Sequence, residues 1–563
     1  MIRSVAVTSL FLLLVLPAPG GGYSETGQTP GGRDDSMSPQ EEIKVLVNQV
    51  GYDPADPKVA LVQAPLGDTS LRAASFRLIS ARGDCILEGR LRSARSITKW
   101  GLRYWWADFS AARRPGSYRI QVRSRGRTFE SPPFVIAKNV MQKETLALAA
   151  SFFFYQRCGA EVPGWHAPCH LDDGKTPDGK HRDASGGWHD AGDYNKYCGY
   201  TPLSVFALAE FAGHAEAPKR KVGNAPAPLE EARWGADWLL KMQDEETALL
   251  WGDIFSGYGY WGPPEKETDN IAGNADDRPY RGGPSAGQDN GRACLATAVL
   301  ALRLPRARRA PYLASAVKFW EAVSSRKGPG VIQDSALMLA DLYLWRLTRE
   351  RKFLQDLDSR AEALLASVES FRRPLIVDQG WVAACLARVA IQRRDWKFRP
   401  RVEEVAREYL RFSQRMSANP FNINQWNENT FFYPYPEPEA WYVGQNSMYL
   451  SQAWALLLIS KLLKEPAARD LAVCQIDWVM GRNPFGVCMI EGKGSFNPPR
   501  YHHRYDSIPG HPRGAVPGIV CNGIVRERPE SDSPRFDLVG KAYQSNEPWL
   551  PHNAYFLLAV GEL

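Results

Sequence analysis

Between Lys44 and Ile136 apolar and polar residues alternate in short runs, such as Ala60-Leu61-Val62-Gln63 and Ser117-Tyr118-Arg119-Ile120-Gln121-Val122, cut by Gly, Pro and Asp turns. A period of two sends successive side chains to opposite faces of a strand, so the stretch 43–138 predicts a β-sandwich. After Asn139 the apolar period lengthens to 3.6. It recurs in a dozen segments, near 140–156, 200–213, 229–243, 291–303, 311–324, 333–349, 359–370, 379–393, 402–417, 445–463, 467–481 and 550–561. A dozen helices joined by loops of very unequal length predict an α/α toroid over 139–563, with the long loops gathered at one end. Those loops, 157–199, 244–290, 418–444 and 482–549, hold the clusters of Trp, Tyr, His, Asp and Gly. Long loops on a rigid scaffold are where function is expected.

Ahead of the sandwich, Met1-Ile2-Arg3, the apolar run Val5–Leu16 and Pro17-Ala18-Pro19-Gly20 supply the basic, apolar and small-residue parts of a secretory signal peptide over 1–22. The run is shorter than the roughly 20 residues that a spanning helix needs. The expected location is therefore secreted, periplasmic or extracellular, with no stable membrane insertion once the signal is removed. Residues 23–42, rich in Gly, Pro, Ser and acids, read as a flexible linker. The chain of 563 residues is 44% hydrophobic and 23% charged, which argues against disorder and against a polytopic membrane protein. Its net charge of +7 is mild, and no Lys/Arg block precedes an aromatic comb, so nucleic acid is not expected as a partner. With 18 Trp and 22 Tyr there are more flat amphipathic rings than a core needs. Such rings serve as platforms for sugar faces as well as in packing. The cysteines are odd in number and scattered rather than spaced as a disulfide framework.

In the first long loop, Gly187-Trp188-His189-Asp190-Ala191-Gly192-Asp193-Tyr194 sets two carboxylates three residues apart with small residues between them. Close carboxylates can share one water, one orienting it while the other takes its proton. The spacing alone suits turn capping or a calcium loop equally well. Near the other end, Tyr543-Gln544-Ser545-Asn546-Glu547-Pro548-Trp549-Leu550-Pro551-His552-Asn553-Ala554 places a single Glu among apolar and aromatic residues. Desolvation there disfavours the charged form and keeps Glu547 able to act as an acid near neutrality. Helix capping is its alternative role.

These stretches, with the loop from Gly481-Arg482-Asn483-Pro484 to His502-His503-Arg504 and with Asn553-Ala554, resemble glycoside hydrolase family 9 in order and spacing. The sandwich, through Val47-Asn48-Gln49-Val50-Gly51-Tyr52, resembles the immunoglobulin-like module that precedes the catalytic barrel in one branch of that family. The resemblance covers nearly all of the chain after the linker. It implies an N-terminal immunoglobulin-like β-sandwich followed by an all-α (α/α)6 barrel catalytic domain. It also implies an inverting glycoside hydrolase that cleaves β-1,4-glucosidic bonds of cellulose-like or mixed-linkage β-glucans and their oligosaccharides. Residue by residue, Asp193 is implied as general base, Asp190 as a holder of the nucleophilic water and Glu547 as general acid. His502 and Arg504 match the pair that contacts the sugar on the non-reducing side of the cleavage point. Trp261, in Tyr258-Gly259-Tyr260-Trp261-Gly262-Pro263-Pro264-Glu265, is assigned with Trp441 and Tyr543 to substrate binding along the cleft.

Cys158, Cys169, His170 and His189 offer two thiolates and two imidazoles, a closed tetrahedral set suited to structural zinc. Their spacing is looser than a zinc finger's, which leaves free thiols or one disulfide as alternatives and His166 and His181 as rival fourth ligands. Members of the family branch with the sandwich often have such a site. The resemblance thus implies a structural zinc that pins the loop bearing Asp190 and Asp193. A calcium ion is left open and unplaced, and no organic cofactor is expected.

Two departures from the family bear on substrate. Where its endoglucanases have a small residue two positions after the acid, this chain has Trp549, expected to narrow the site or close one end of the cleft. Tyr501 stands where a proline usually precedes the paired histidines. An exo-acting β-glucosaminidase on chitosan oligosaccharides therefore stays open beside the β-glucanase. A noncatalytic carbohydrate-binding protein on a degenerate barrel is the reading from another class, and the joint presence of Asp190, Asp193 and Glu547 argues against it.

Overall fold

The computed structural model describes residues 43–72, 74–214, 222–285, 287–324, 330–367, 375–434 and 442–563. The expected signal peptide and linker, and Trp441, lie outside them. The alternating runs form two facing sheets. One has the order β1 (Lys44–Leu46), β3 (Val59–Pro65), β7 (Leu102–Asp108) and β6 (Arg92–Ser93). The other has the order β2 (Gly51–Tyr52), β10 (Phe134–Ile136), β8 (Gly116–Ser124), β4 (Ser75–Ser80) and β5 (Cys85–Arg90), with β9 (Arg127–Glu130) against β8. All pairs are antiparallel except β10 with β2. In β8 the period of two is plain: Tyr118, Ile120 and Val122 are buried while Arg119 and Arg123 face solvent. They meet Val62, Phe76, Leu78 and Trp105 in one core between the sheets.

The helical part runs α1 (Val140–Tyr155), α2 (Tyr200–Ala212), α3 (Pro228–Met242), α4 (Asn290–Arg303), α5 (Ala310–Ser324), α6 (Val331–Thr348) and α7 (Arg351–Ala366). It continues through α8 (Trp381–Gln392), α9 (Arg399–Met416), α10 (Asn446–Leu463), α11 (Pro466–Val479), the one-turn α12 (Tyr543–Asn546) and α13 (Leu550–Glu562). Each of the dozen expected helices is present. Packing closes α2, α4, α6, α8, α10 and α13 into a ring, while α1, α3, α5, α7, α9 and α11 lie outside it. Side-chain character explains the two layers. Inner α10, Asn446-Ser447-Met448-Tyr449-Leu450 onward, is buried on nearly every face, whereas outer α9 carries Arg, Glu and Gln on one face and Val402, Val405, Tyr409 and Leu410 on the other. The four long loops lead into α2, α4, α10 and α13, so they collect where inner helices begin.

The Asn48-Gln49 pair joins sandwich to barrel. Asn48 Nδ2 donates to Asp477 Oδ1 (2.8 Å), and its Oδ1 accepts from the N–H groups of Val50 and Gly51. Gln49 donates to the Gly486 carbonyl and accepts from Ser495 N–H (2.8 Å). The indoles of Trp100 and Trp106 donate to the carbonyls of Asp532 and Pro420.

Candidate active site

The loop of Asp190 and Asp193 is clamped from below by the end of α1. Gln156 Nε2 donates to the carbonyls of Ala191 (2.7 Å) and His189 (3.2 Å), and the Gln156 carbonyl accepts from His189 N–H. Trp188 is fully buried, with its indole donating to Glu231 Oε1 (2.8 Å). The chain then turns: Asp190 N–H reaches the Asn195 carbonyl, and Asn195 N–H caps Asp193 Oδ1 at 2.9 Å. Gly192 lies between the carboxylates because nothing larger fits. A Cβ there would stand 1.8 Å from the His502 carbonyl oxygen.

From the other side, residues 500–553 close over this turn. Arg504 N–H donates to the Gly192 carbonyl, and Leu550 N–H to the Asp190 carbonyl at 2.9 Å. Glu547 follows α12, and its carboxyl accepts from Gly192 N–H and the Asn522 side chain. Trp549 Nε1 donates to Asp190 Oδ2 at 2.7 Å. Asp190 and Asp193, both buried, thus meet the half-buried Glu547 in one site, although more than 350 residues separate the first from the last.

Burial, opposed by the Arg504 guanidinium and the Asn195 N–H, sets Asp193 at about 6, above the ordinary carboxylate range. Burial and then the Asp193 charge push Asp190 far higher. The same two causes, in the same order, raise Glu547 well above its ordinary value. One carboxylate of the three ionises first, and its charge holds the others protonated. The arrangement supplies a base and an acid at the same pH.

Arg504 gives its guanidinium to the carbonyls of Tyr260 (2.6 Å) and Tyr258 (2.9 Å), tying down the 258–262 segment, and lies over the Tyr194 and Trp261 rings. His502 Nδ1 lies 3.1 Å from the Lys541 carbonyl, which can only accept, so this nitrogen carries the hydrogen and Nε2 presents a lone pair. Burial lowers His502 to about 4, which keeps the ring neutral. Trp261 is 38% exposed and meets His502 edge-on at 5.0 Å. Its indole donates to Asp506 (2.7 Å), and the Lys541 ammonium lies 3.9 Å over its ring. Tyr543 flanks the other side of His502 at 5.9 Å. The local sequence pattern gives no sign of Lys541, Asp506 or Asn522 at this site, since each reaches it only through the long 482–549 loop.

Cys158, Cys169, His170 and His189 are all buried, and one ligand atom from each lies within 4.8 Å of the others, a group able to hold a metal ion. His166 and His181 stand apart: the first bonds to its neighbour's carbonyl and the second pairs with Asp277. Behind the group, His170 Nε2 meets Glu267 Oε2 at 3.0 Å. Arg278, also buried, grips Asp173 through two 2.7 Å bonds and donates to the Tyr194 carbonyl at 2.6 Å. This surround therefore touches the residue next to Asp193. A second acidic group, Asp172, Asp269 and Asp276, is also close enough to gather round a cation. Asp172 already accepts from Thr268 and from Asn270 N–H with its two oxygens.

Comparison with known proteins agrees with this architecture. The family model described as glycosyl hydrolase family 9 matches residues 143–560, and that of the cellulase N-terminal ig-like domain matches 40–127. A cellodextrinase of Butyrivibrio fibrisolvens is 31% identical over 229 residues, covering 38% of this chain and 40% of the relative. Endoglucanase D of Acetivibrio thermocellus is 24% identical over 505 residues, covering 82% of this chain and 75% of the relative. Among solved structures, a metagenome-derived glycoside hydrolase family 9 endoglucanase superposes with a TM-score of 0.73 at 24% identity, over 92% of this chain and 99% of that one, a likeness of fold. With the family model spanning the whole helical part and the site it encloses, the chain belongs to glycosyl hydrolase family 9.

Proposed function

We propose that this protein hydrolyses β-1,4-glucosidic bonds of cellulose-like or mixed-linkage β-glucans and their oligosaccharides, with inversion at the anomeric carbon. The observation that carries the reading is the meeting of three carboxyls in one site, Asp190 and Asp193 buried and Glu547 held by Gly192 N–H and Asn522, each raised above its ordinary range first by burial. In this reading ionised Asp193 takes a proton from a water whose oxygen forms the new bond to the anomeric carbon. Asp190 orients that water. Glu547 gives its proton to the glycosidic oxygen as the old bond breaks, and exchange with solvent then restores both groups. Inversion requires base and acid on opposite faces of the sugar, about 6.5–9.5 Å apart. The Nε2 lone pair of His502 suits a sugar hydroxyl on the non-reducing side. Arg504, its guanidinium committed to backbone carbonyls, acts through its charge on Asp193. Trp261 and Tyr543 wall the cleft.

The test is reducing-sugar release from carboxymethyl cellulose, mixed-linkage glucan and cello-oligosaccharides, with NMR of the first-formed anomer. Asp193→Asn and Glu547→Gln should each lower kcat by at least about 100-fold, the scale of general acid–base catalysis. Activity surviving Glu547→Gln, or a β-anomer as first product, would overturn the reading. Preference for glucosamine over glucose oligomers would decide instead for chitosan oligosaccharides cut from an end.

For the four-residue group we propose structural zinc. Tetrahedral zinc with ordinary Zn–S and Zn–N bonds sets sulfur and nitrogen about 3.6 Å apart. Here Cys158 Sγ and His170 Nδ1 are 3.6 Å apart, and Cys169 Sγ and His189 Nε2 are 3.7 Å apart. The Glu267 carboxylate behind His170 is the usual partner of a ligating imidazole. The ion supplies fixed geometry to the loop and takes no part in the reaction. We further place the sandwich at 43–138 and the catalytic domain at 139–563, with secretion directed by 1–22.

A further inference from the structure

The ring of Trp549 is 8% exposed. Two rings and two prolines bear on it. Tyr200 meets it edge-on at 4.9 Å, His552 does the same at 5.4 Å, and Pro548 and Pro551 restrict the backbone on both sides. His552 is itself held by Ser447 and by Asn522, whose Oδ1 lies 2.7 Å from its Nε2. The indole N–H ends 2.7 Å from Asp190 Oδ2, and an indole nitrogen can only donate. Oδ1 of the same carboxyl is buried and has no hydrogen-bond partner among the described residues. A buried polar oxygen left unpaired is costly unless something else occupies it.

We propose that Trp549 is a positioning residue for the hydrolytic reaction, its indole N–H locking the Asp190 carboxyl through Oδ2 in the orientation that serves the nucleophilic water. This rests on the reading of Asp190 as the residue that orients that water. The lock also ties the two halves of the chemistry together. Trp549 is two residues from Glu547, and Leu550 N–H bonds the Asp190 backbone carbonyl, so acid and water-holder are set by one short segment.

The experiment is a double-mutant cycle of Trp549→Phe and Asp190→Asn, read as kcat and KM on cellohexaose with thermal unfolding alongside. Trp549→Phe keeps an aromatic ring and removes the donor with part of the ring volume, and β-(3-benzothienyl)alanine at 549 removes the donor alone. Trp549→Phe should lower kcat by about 10- to 100-fold, with KM within about twofold, the signature of an interaction needed in the transition state. In the Asp190→Asn background the same change should cost less than about twofold, because the two residues act as one unit. Unchanged kcat in Trp549→Phe, with Asp190→Asn strongly impaired, would overturn the proposal. So would a raised KM at unchanged kcat, which would make the ring a cleft wall. If Asp190→Asn itself keeps full activity, the assignment of Asp190 fails instead. Should Trp549→Phe fold poorly, β-(3-benzothienyl)alanine at position 549, which keeps the ring shape without the N–H, gives the same two readings.

Discussion

A buried carboxyl beside a guanidinium is pulled in two directions, and at Asp193 burial wins, leaving the group at about 6. As base it works only when ionised, so kcat/KM should rise with pH through a limb near 6. The basic limb should lie higher, where Glu547 finally loses its proton. Arg504→Gln removes the charge that favours ionised Asp193, so the acid limb should move to higher pH in a kcat/KM profile. The same residue carries a stability consequence. Its folded value lies above the ordinary 3.8, so the native state binds this proton more tightly, and stability falls as pH rises from about 4 through 6. At pH 7 Asp193→Asn should therefore be more stable to unfolding than the wild type by roughly 2–3 kcal/mol, and at pH 4 the two should coincide. That Asp190, Asp193 and Glu547 lie together was expected from the family resemblance, since the spacing of the aspartates and the setting of Glu547 suit capping as well. Lys541 over the Trp261 ring was not, since the two are 280 positions apart and no local pattern links them.

At the scale of elements, the helices were readable because each inner or outer role leaves its own pattern of apolar residues. α10, buried on nearly every face, and one-faced α9 show the difference. The loops were readable only as loops, for their shape comes from side chains reaching across the chain, as when Gln156 of the α1 end holds the 189–191 turn. That turn has no spare room. Gly192→Ala would drive a methyl into the His502 carbonyl and should cut kcat more than about tenfold while leaving the far-UV spectrum unchanged. If zinc holds the base of the same loop, a strong chelator should lower both the unfolding temperature and kcat, and added zinc should restore them. Metal analysis finding no zinc would remove the ion from this account. From sequence Trp549 was expected to narrow the site or close one end of the cleft; its bond to Asp190 Oδ2 is a contact that no local pattern announces.

At the scale of the whole molecule, the sandwich is bound to the barrel by polar groups as much as by apolar ones. Asn48 faces Asp477, which burial raises to about 6 and which Arg482 and then Asn48 pull back. Asn48→Ala leaves that carboxyl and two backbone N–H groups short of a partner, which should cost about 1–3 kcal/mol in chemical unfolding, with kcat at 25 °C within about twofold. From sequence, Val47 to Tyr52 was a family hallmark without a task; its task is this joint.

The closure of the inner ring between α2 and α13 has a kinetic meaning. Those helices carry the two halves of the active site on their entry loops and come from opposite ends of the helical domain. Contacts between such distant segments form late, because the chain entropy of bringing them together is offset only when the intervening helices have already packed. Catalytic competence is therefore a clock for the last step of folding. On refolding from denaturant, helical signal should recover first and hydrolysis afterwards, and the lag between them times the moment the ring shuts.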